Sequence, residues 1–158
     1  MKKYLLMLMI FIMVFTFTGC KSNTSRDNSI ETSKDYIQYE NDTYNFSLQL
    51  PKSWEGKYYI EEGNNEVYFY HKNDLDDGRK VELFTLHISN TKEEWEELQK
   101  QYEDICLIDK IYEDEQGIIS ITYPTDVPYG DDEKEYYEEY NKMEDDISNI
   151  QKSIDRIK

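Results

Sequence analysis

The sequence predicts an α+β domain: an antiparallel β-sheet meander flanked by two helices, with a long C-terminal amphipathic helix. Three observations carry this. In "YNFSLQL", Tyr44, Phe46, Leu48 and Leu50 alternate strictly with Asn45, Ser47 and Gln49, the period of a half-buried strand. Short apolar runs then recur between turn clusters at Gly63-Asn64-Asn65, Asn73 to Gly78 and Glu115-Gln116-Gly117, as consecutive hairpins require. From Tyr136 the apolar residues Tyr140, Met143, Ile147, Ile150, Ile154 and Ile157 fall alternately four and three apart, which marks one face of a helix.

The first strand, "YIQYE", is joined to the second through Asn41-Asp42, residue types that tolerate positive φ and suit a tight turn. Pro51 ends the second strand, because it has no N–H for a ladder. Five more strands follow: "KYYIEE", "EVYFYHK", "KVELFTLHIS", "ICLIDKIYED" and "GIISITYP". Within them "ELFTLHI" and "ICLIDKIY" carry apolar residues on both faces. Strands covered on both sides read this way, so each face of the sheet needs a cover.

Two helices are available. "NTKEEWEELQKQY" starts with Thr91 and Glu94 at the spacing of a capping box, and Trp95, Leu98 and Tyr102 then share one side. The second helix is expected over residues 131 to 157. Asp131, Asp132, Glu133 and Glu135 crowd its start and Lys152, Arg156 and Lys158 its end, both favourable to the helix dipole. Its apolar stripe fits either a coiled-coil seam or a cover for the protein's own sheet. The second is preferred, because a sheet needs a partner layer.

The chain opens with Met1, Lys2 and Lys3, then runs apolar from Leu5 to Val14 and on through Phe15 and Phe17. Positive charge, a short apolar core and small residues after it compose a secretory signal. The run is shorter than the roughly 20 apolar residues of a spanning helix. Its end, Phe17-Thr18-Gly19-Cys20, resembles the lipobox of bacterial lipoproteins, with Phe17 where that family prefers Leu. The resemblance implies cleavage before Cys20 and a diacylglycerol on its thiol. Two acyl chains hold stably where one holds marginally, at roughly 0.8 kcal/mol per buried methylene. Residues 1–19 are therefore expected to be a signal peptide and Cys20 the anchor. Residues 20–35 form a tether, since "KSNTSRDNSIETSKD" contains a single large apolar residue, Ile30, and cannot offset its ordering entropy. Residues 36–158 form one domain.

Formal net charge is −16, and removal of residues 1–19, with two lysines and no acid, makes it −18. Such a chain repels nucleic-acid phosphate and anionic headgroups alike. Nucleic acid is excluded as a partner, and the membrane is expected to be met through the lipid on Cys20. With Cys20 lipidated, Cys106 has no partner for an internal disulfide. About 120 residues must then be stabilised by an apolar core alone.

The stretch "YNFSLQLPKSWEGKYYI" has Phe46, Leu48, Leu50, Pro51 and Trp54 in the pattern F-x-L-x-L-P-x-x-W. This is similar to the opening of the PsbP-like family. The resemblance covers under twenty residues. It implies an α+β domain with an antiparallel sheet between flanking helices, used for binding and assembly, and it carries over no catalytic residue.

Catalytic and cofactor motifs are absent: no G-x-S-x-G, G-x-G-x-x-G, H-E-x-x-H or P-loop pattern occurs. No catalytic, cofactor or metal residue is assigned. Of the two histidines, His71 should pair near Lys80 or Val81, which leaves His87 about 20 Å away at strand rise. Both are read as structural. Cys106, flanked by Ile105 and Leu107 at the head of an apolar strand, is expected to be buried and inert. "NDLDDGRK" fails as an EF-hand loop. With Gly78 sixth, Leu75 and Phe84 occupy the third and twelfth positions, where oxygen ligands belong. The clusters "EEWEE" and "DDEKEYYEE" are read as solvated helix faces rather than divalent-ion sites.

Three functions are compatible with these features. The anchor, the tether and the missing motifs favour a non-enzymatic lipoprotein that binds or helps assemble another envelope component. A carbohydrate or wall-polymer binder would use exposed rings such as Tyr58, Tyr59, Tyr68 and Tyr70. A hydrolase would need a deep cleft with perturbed carboxylates.

Overall fold

The computed structural model describes residues 35–157. The expected signal peptide, Cys20 and all of the tether except Asp35 lie outside the described residues. Eight strands and two helices follow in the order β1 (Tyr36–Asn41), β2 (Phe46–Pro51), β3 (Tyr58–Glu62), β4 (Glu66–His71), β5 (Val81–Ser89), α1 (Lys92–Tyr102), β6 (Ile108–Asp114), β7 (Gly117–Thr122), α2 (Lys134–Lys152) and β8 (Asp155–Arg156). The fold is α+β.

All pairings are antiparallel, and they build two sheets, β1-β2-β8 and β3-β4-β5-β7-β6. The meander therefore runs unbroken only from β3 to β5. After α1 the chain enters at the far edge as β6, and β7 returns into the gap beside β5. Gly117 makes this possible. Its φ is +129° and a Cβ there would meet the Ser89 carbonyl oxygen at 2.3 Å, a clash only glycine avoids.

The two faces of the larger sheet differ. Val67, Phe69 and His71 of β4 and Val81, Phe84 and Leu86 of β5 are cross-strand partners. With Ile119 and Ile121 of β7 they face α2 and the β1–β2 hairpin, and the Phe69 and Phe84 rings stack at 4.3 Å. Trp54 seals this layer: it is fully buried, packs on Phe84, and donates from Nε1 to Asp146 Oδ2 of α2 at 3.1 Å. The opposite face, under α1, is polar. Thr85, His87 and Ser89 of β5 lie beside Ser120 and Thr122 of β7, all buried.

Both helices cover the sheet. In α1, Thr91 Oγ1 accepts from the Glu94 N–H at 3.2 Å, but the Glu94 carboxylate reaches one residue further back, to the Asn90 N–H at 2.7 Å. In α2, Tyr140, Met143, Ile147 and Ile150 are buried against the core, so the stripe serves the protein's own sheet.

Three boundaries differ from expectation. The second helix stops at Lys152 rather than 157. Ser153 Oγ donates to the Ile150 carbonyl at 2.6 Å and accepts from the Gln49 N–H at 2.9 Å. That exchange ends the helix and starts β8 beside β2. Ile154 keeps its place in the core as extended chain. The turn between β1 and β2 is longer than Asn41-Asp42: Asn41 and Phe46 are paired, Asn41 Oδ1 accepts from the Tyr44 N–H, and Asn45 takes φ 55°. Finally, β6 starts at Ile108 and is a partly exposed edge strand, not one buried on both faces.

Candidate functional site

Side chains with chemical potential gather in two places, one on each face of the larger sheet. His71 ends β4 on the apolar side and is 0% exposed. Its Nδ1 meets the Tyr129 hydroxyl and its Nε2 lies 3.0 Å from Glu139 Oε1. The rings of Tyr129, Tyr136 and Tyr140 surround it edge-on at 5.5–6.4 Å. Lys57 closes the far side of Glu139 at 2.9 Å. Burial holds the His71 pKa below 6.5, with Glu139 opposing. Burial also pushes the Tyr129 hydroxyl up to about 12. A neutral imidazole with both nitrogens engaged ties the end of β4 to α2. It has no free lone pair or proton to offer a substrate.

The Asn73–Lys80 loop supports this cluster. Asn73 Oδ1 and Asp77 Oδ1 accept from the N–H groups two residues on, at 3.2 and 3.0 Å, as turn residues do. Arg79 pairs with Glu133, donates to the Pro128 carbonyl at 3.0 Å and lies over the Tyr129 ring. Asp77 and Glu133 are thereby engaged in holding the turn and Arg79.

The second cluster lies on the polar face. His87 is 2% exposed; its Nε2 is 2.9 Å from Thr122 Oγ1, and its Nδ1 is 3.3 Å from Glu66 Oε1 but outside hydrogen-bond geometry. Glu66 Oε2 accepts from the Tyr68 hydroxyl, which raises the Tyr68 pKa. Burial lowers the His87 pKa, against the pull of Glu66. Beside this chain is a cleft of about 200 Å³ that also exposes Glu82, Thr85, Tyr102 and Cys106. Burial raises the Glu82 carboxyl above its usual range.

Compared with protein-family models, curated proteins and solved structures, the chain matches none.

The order hydroxyl, imidazole, carboxylate in Thr122, His87 and Glu66 is that of a nucleophile relay. Such a relay also needs donors aimed at a developing oxyanion. Thr122 belongs to β7, whose backbone is paired on both sides, to β5 and to β6, and Thr122 itself stands opposite Thr85 and Ile108, inside the sheet. The two histidines sit on opposite faces and at opposite ends of the β4–β5 ladder: His71 pairs with Val81, His87 with Glu66. Among the described residues, no three His, Cys, Asp or Glu side chains converge to hold a metal.

Cys106 differs from expectation. It precedes β6 instead of heading a strand, and its neighbours Ile105 and Leu107 are 65% and 69% exposed. The thiol itself is half-buried, and burial, then Glu82, raises its pKa, so the thiolate is disfavoured. The four tyrosines separate. Tyr58 packs on Trp54 on the apolar side. Tyr59, Tyr70 and Tyr68 form a ladder on the polar side, with centroids 5.1 and 6.0 Å apart and rings within 23° of parallel.

The lowered histidine pKa values have a consequence for stability. Below about 6.5 the unfolded chain binds protons that folded His71 and His87 refuse, so unfolding gains as pH falls. Asp114, held low by Arg156, and Glu139, held low by Lys57 and His71, act in the same direction only below their usual carboxylate range. Glu82, whose carboxyl burial raises, acts the other way and above the usual carboxylate range, where it offsets part of the effect of the two histidines. The urea midpoint at pH 5.5 is expected below that at pH 7.5. An equal or higher midpoint at pH 5.5 would refute the buried, neutral state of these imidazoles.

Proposed function

We propose that this chain is a lipoprotein, anchored through Cys20 on the extracytoplasmic face of a cell membrane, and a non-enzymatic binding or assembly module for another envelope component. The observation that carries this reading is the Phe17-Thr18-Gly19-Cys20 end of the apolar run. The domain geometry agrees with it. Among the described residues the first strand begins at Tyr36, and the polar composition of residues 21–35 is that of a tether. Confinement to a surface raises the effective concentration of any partner there. His71 has both ring nitrogens engaged, His87 is buried with its Nε2 at Thr122, and the Cys106 thiol is disfavoured as an ion, which supports binding rather than catalysis.

A carbohydrate or wall-polymer binder is the second reading, favoured by the outward Tyr59–Tyr70–Tyr68 ladder. Its weakness is geometric: Tyr70 is stacked with Tyr59 and Tyr68 and carries the Lys80 ammonium over its ring, and a sugar needs an open face.

Capture of the anchored protein from intact envelope tests the first reading. A specific envelope protein should co-purify, and should still do so with single His71→Gln, His87→Gln and Cys106→Ser variants that remain folded. Loss of function in an anchored, folded histidine or cysteine variant would instead favour an enzyme.

A further inference from the structure

The larger sheet ends in β6, which pairs only with β7. An edge strand presents a row of unpaired backbone groups, and proteins usually blunt it. Here only half is blunted. The register shifts between Lys110 and Tyr112, a bulge that bends the strand. Beyond the bulge Arg156 of β8 closes the edge: Nε and Nη2 donate to the Asp114 carboxylate at 3.0 and 2.9 Å, and the guanidinium lies 5.6 Å from the Tyr112 ring centroid.

The other half, Ile108 to Lys110, has neither device. The loop that leads into it, whose Ile105 and Cys106 amides are tied to the Tyr102 carbonyl, carries two of the most exposed apolar side chains in the described domain, Ile105 at 65% and Leu107 at 69%. A groove of about 790 Å³ opens beside it, between this segment and the last turns of α1. The groove is rimmed by Glu96, Glu103 and Asp104 against the single cation Lys100.

We propose that the Ile108–Lys110 half of β6, with the exposed Ile105 and Leu107 leading into it, is a docking edge for an extended segment of another envelope protein, one that alternates apolar and basic residues and adds to β6 as a further strand. This rests on the binding-module reading and names the partner's chemistry. Strand addition supplies main-chain hydrogen bonds along the edge, and alternate side chains of the added strand fall into the adjacent groove. Ile105 and Leu107 would cover its apolar side chains, and the carboxylate rim would pair with its cations. Charge also decides against a second copy of this chain as the occupant. Each chain carries a formal charge of −16, and edge-to-edge pairing would bring two acidic rims together.

The test uses the full-length chain in detergent micelles and two blocked heptapeptides, one alternating Lys and Val, the other Glu and Val. The Lys–Val peptide should bind at least about tenfold more tightly than the Glu–Val peptide, and more weakly as salt rises. Amide resonances of Leu107 to Lys110 should shift on binding. The double variant Ile105→Lys, Leu107→Lys changes only exposed side chains, so it should fold normally and lose about tenfold in affinity. Equal binding of the two peptides, or unchanged binding by the double variant, would overturn the proposal. A dimer of the native chain that the double variant abolishes would also overturn it, by making a second copy the occupant. If the double variant still captures its envelope partner, this edge is wrong while the binding-module reading stands.

Discussion

Replacing Ile147 and Ile150 together by Asp unfolds the domain. Both side chains sit on the inward face of α2, 3% and 1% exposed, within the one core cluster that joins α2 to the sheet. An uncompensated charge at such a site costs roughly 3–5 kcal/mol, and the lost apolar contacts add to that. Two such sites rival the roughly 5–15 kcal/mol that holds a domain together. Circular dichroism should show loss of cooperative thermal unfolding. A double variant that stays folded while a dimer of the native protein dissociates would restore the coiled-coil seam in place of the sheet cover.

The second large effect is on location. On the proposed lipoprotein reading, Cys20→Ala removes the thiol that would accept the lipid, so both acyl chains are lost at once, and the acidic chain, at −16 in full and −18 without residues 1–19, has no affinity of its own for an anionic bilayer. Fractionation should move the protein from the membrane to the soluble extracytoplasmic fraction or leave it as an unprocessed precursor. Mass spectrometry of the native protein should find a lipidated N-terminal peptide that starts at Cys20. Recovery of an unmodified segment running from Met1 through Cys20 in mature protein would end the lipoprotein reading.

Much of the fold was legible where a local period reports burial directly. β2 alternates without error because one of its faces meets the core, and Tyr140 to Ile150 mark α2 for the same reason. What escaped depends on partners distant in sequence. Ile154 continues the helical spacing although it is no longer helical; only the meeting of Ser153 with Gln49 reveals the change. The insertion of β7 between β5 and β6 turns on Gly117 passing the Ser89 carbonyl, and a single glycine in a turn cluster does not announce that. Ile105 and Leu107 read as strand core because apolar residues next to a strand usually are; their exposure reflects a loop between α1 and the sheet edge. The candidate clusters were the least legible. His71 is enclosed by Lys57, Tyr129, Tyr136, Glu139 and Tyr140, contributed by separate segments, and His87 faces Glu66 only because β4 and β5 pair in one register. The polar row of Thr85, His87 and Ser89 lay in a strand read as apolar on both faces, and nothing local says that α1 would bury it.

The short strand β8 imposes an order of events on folding. Arg156 pairs with Phe46 and donates from Nη1 to the Tyr44 carbonyl, 112 residues earlier, so the smaller sheet is completed by the last residues of the chain. Contacts of such long separation form only after the intervening loop has been closed, and they slow folding accordingly. Synthesis delivers β1 and β2 more than a hundred residues before the strand that completes their sheet. Until residues 153–156 are available the hairpin has one bare edge and α2 has no terminus against Gln49, so a chain cut before Ser153 should leave this edge of the domain open.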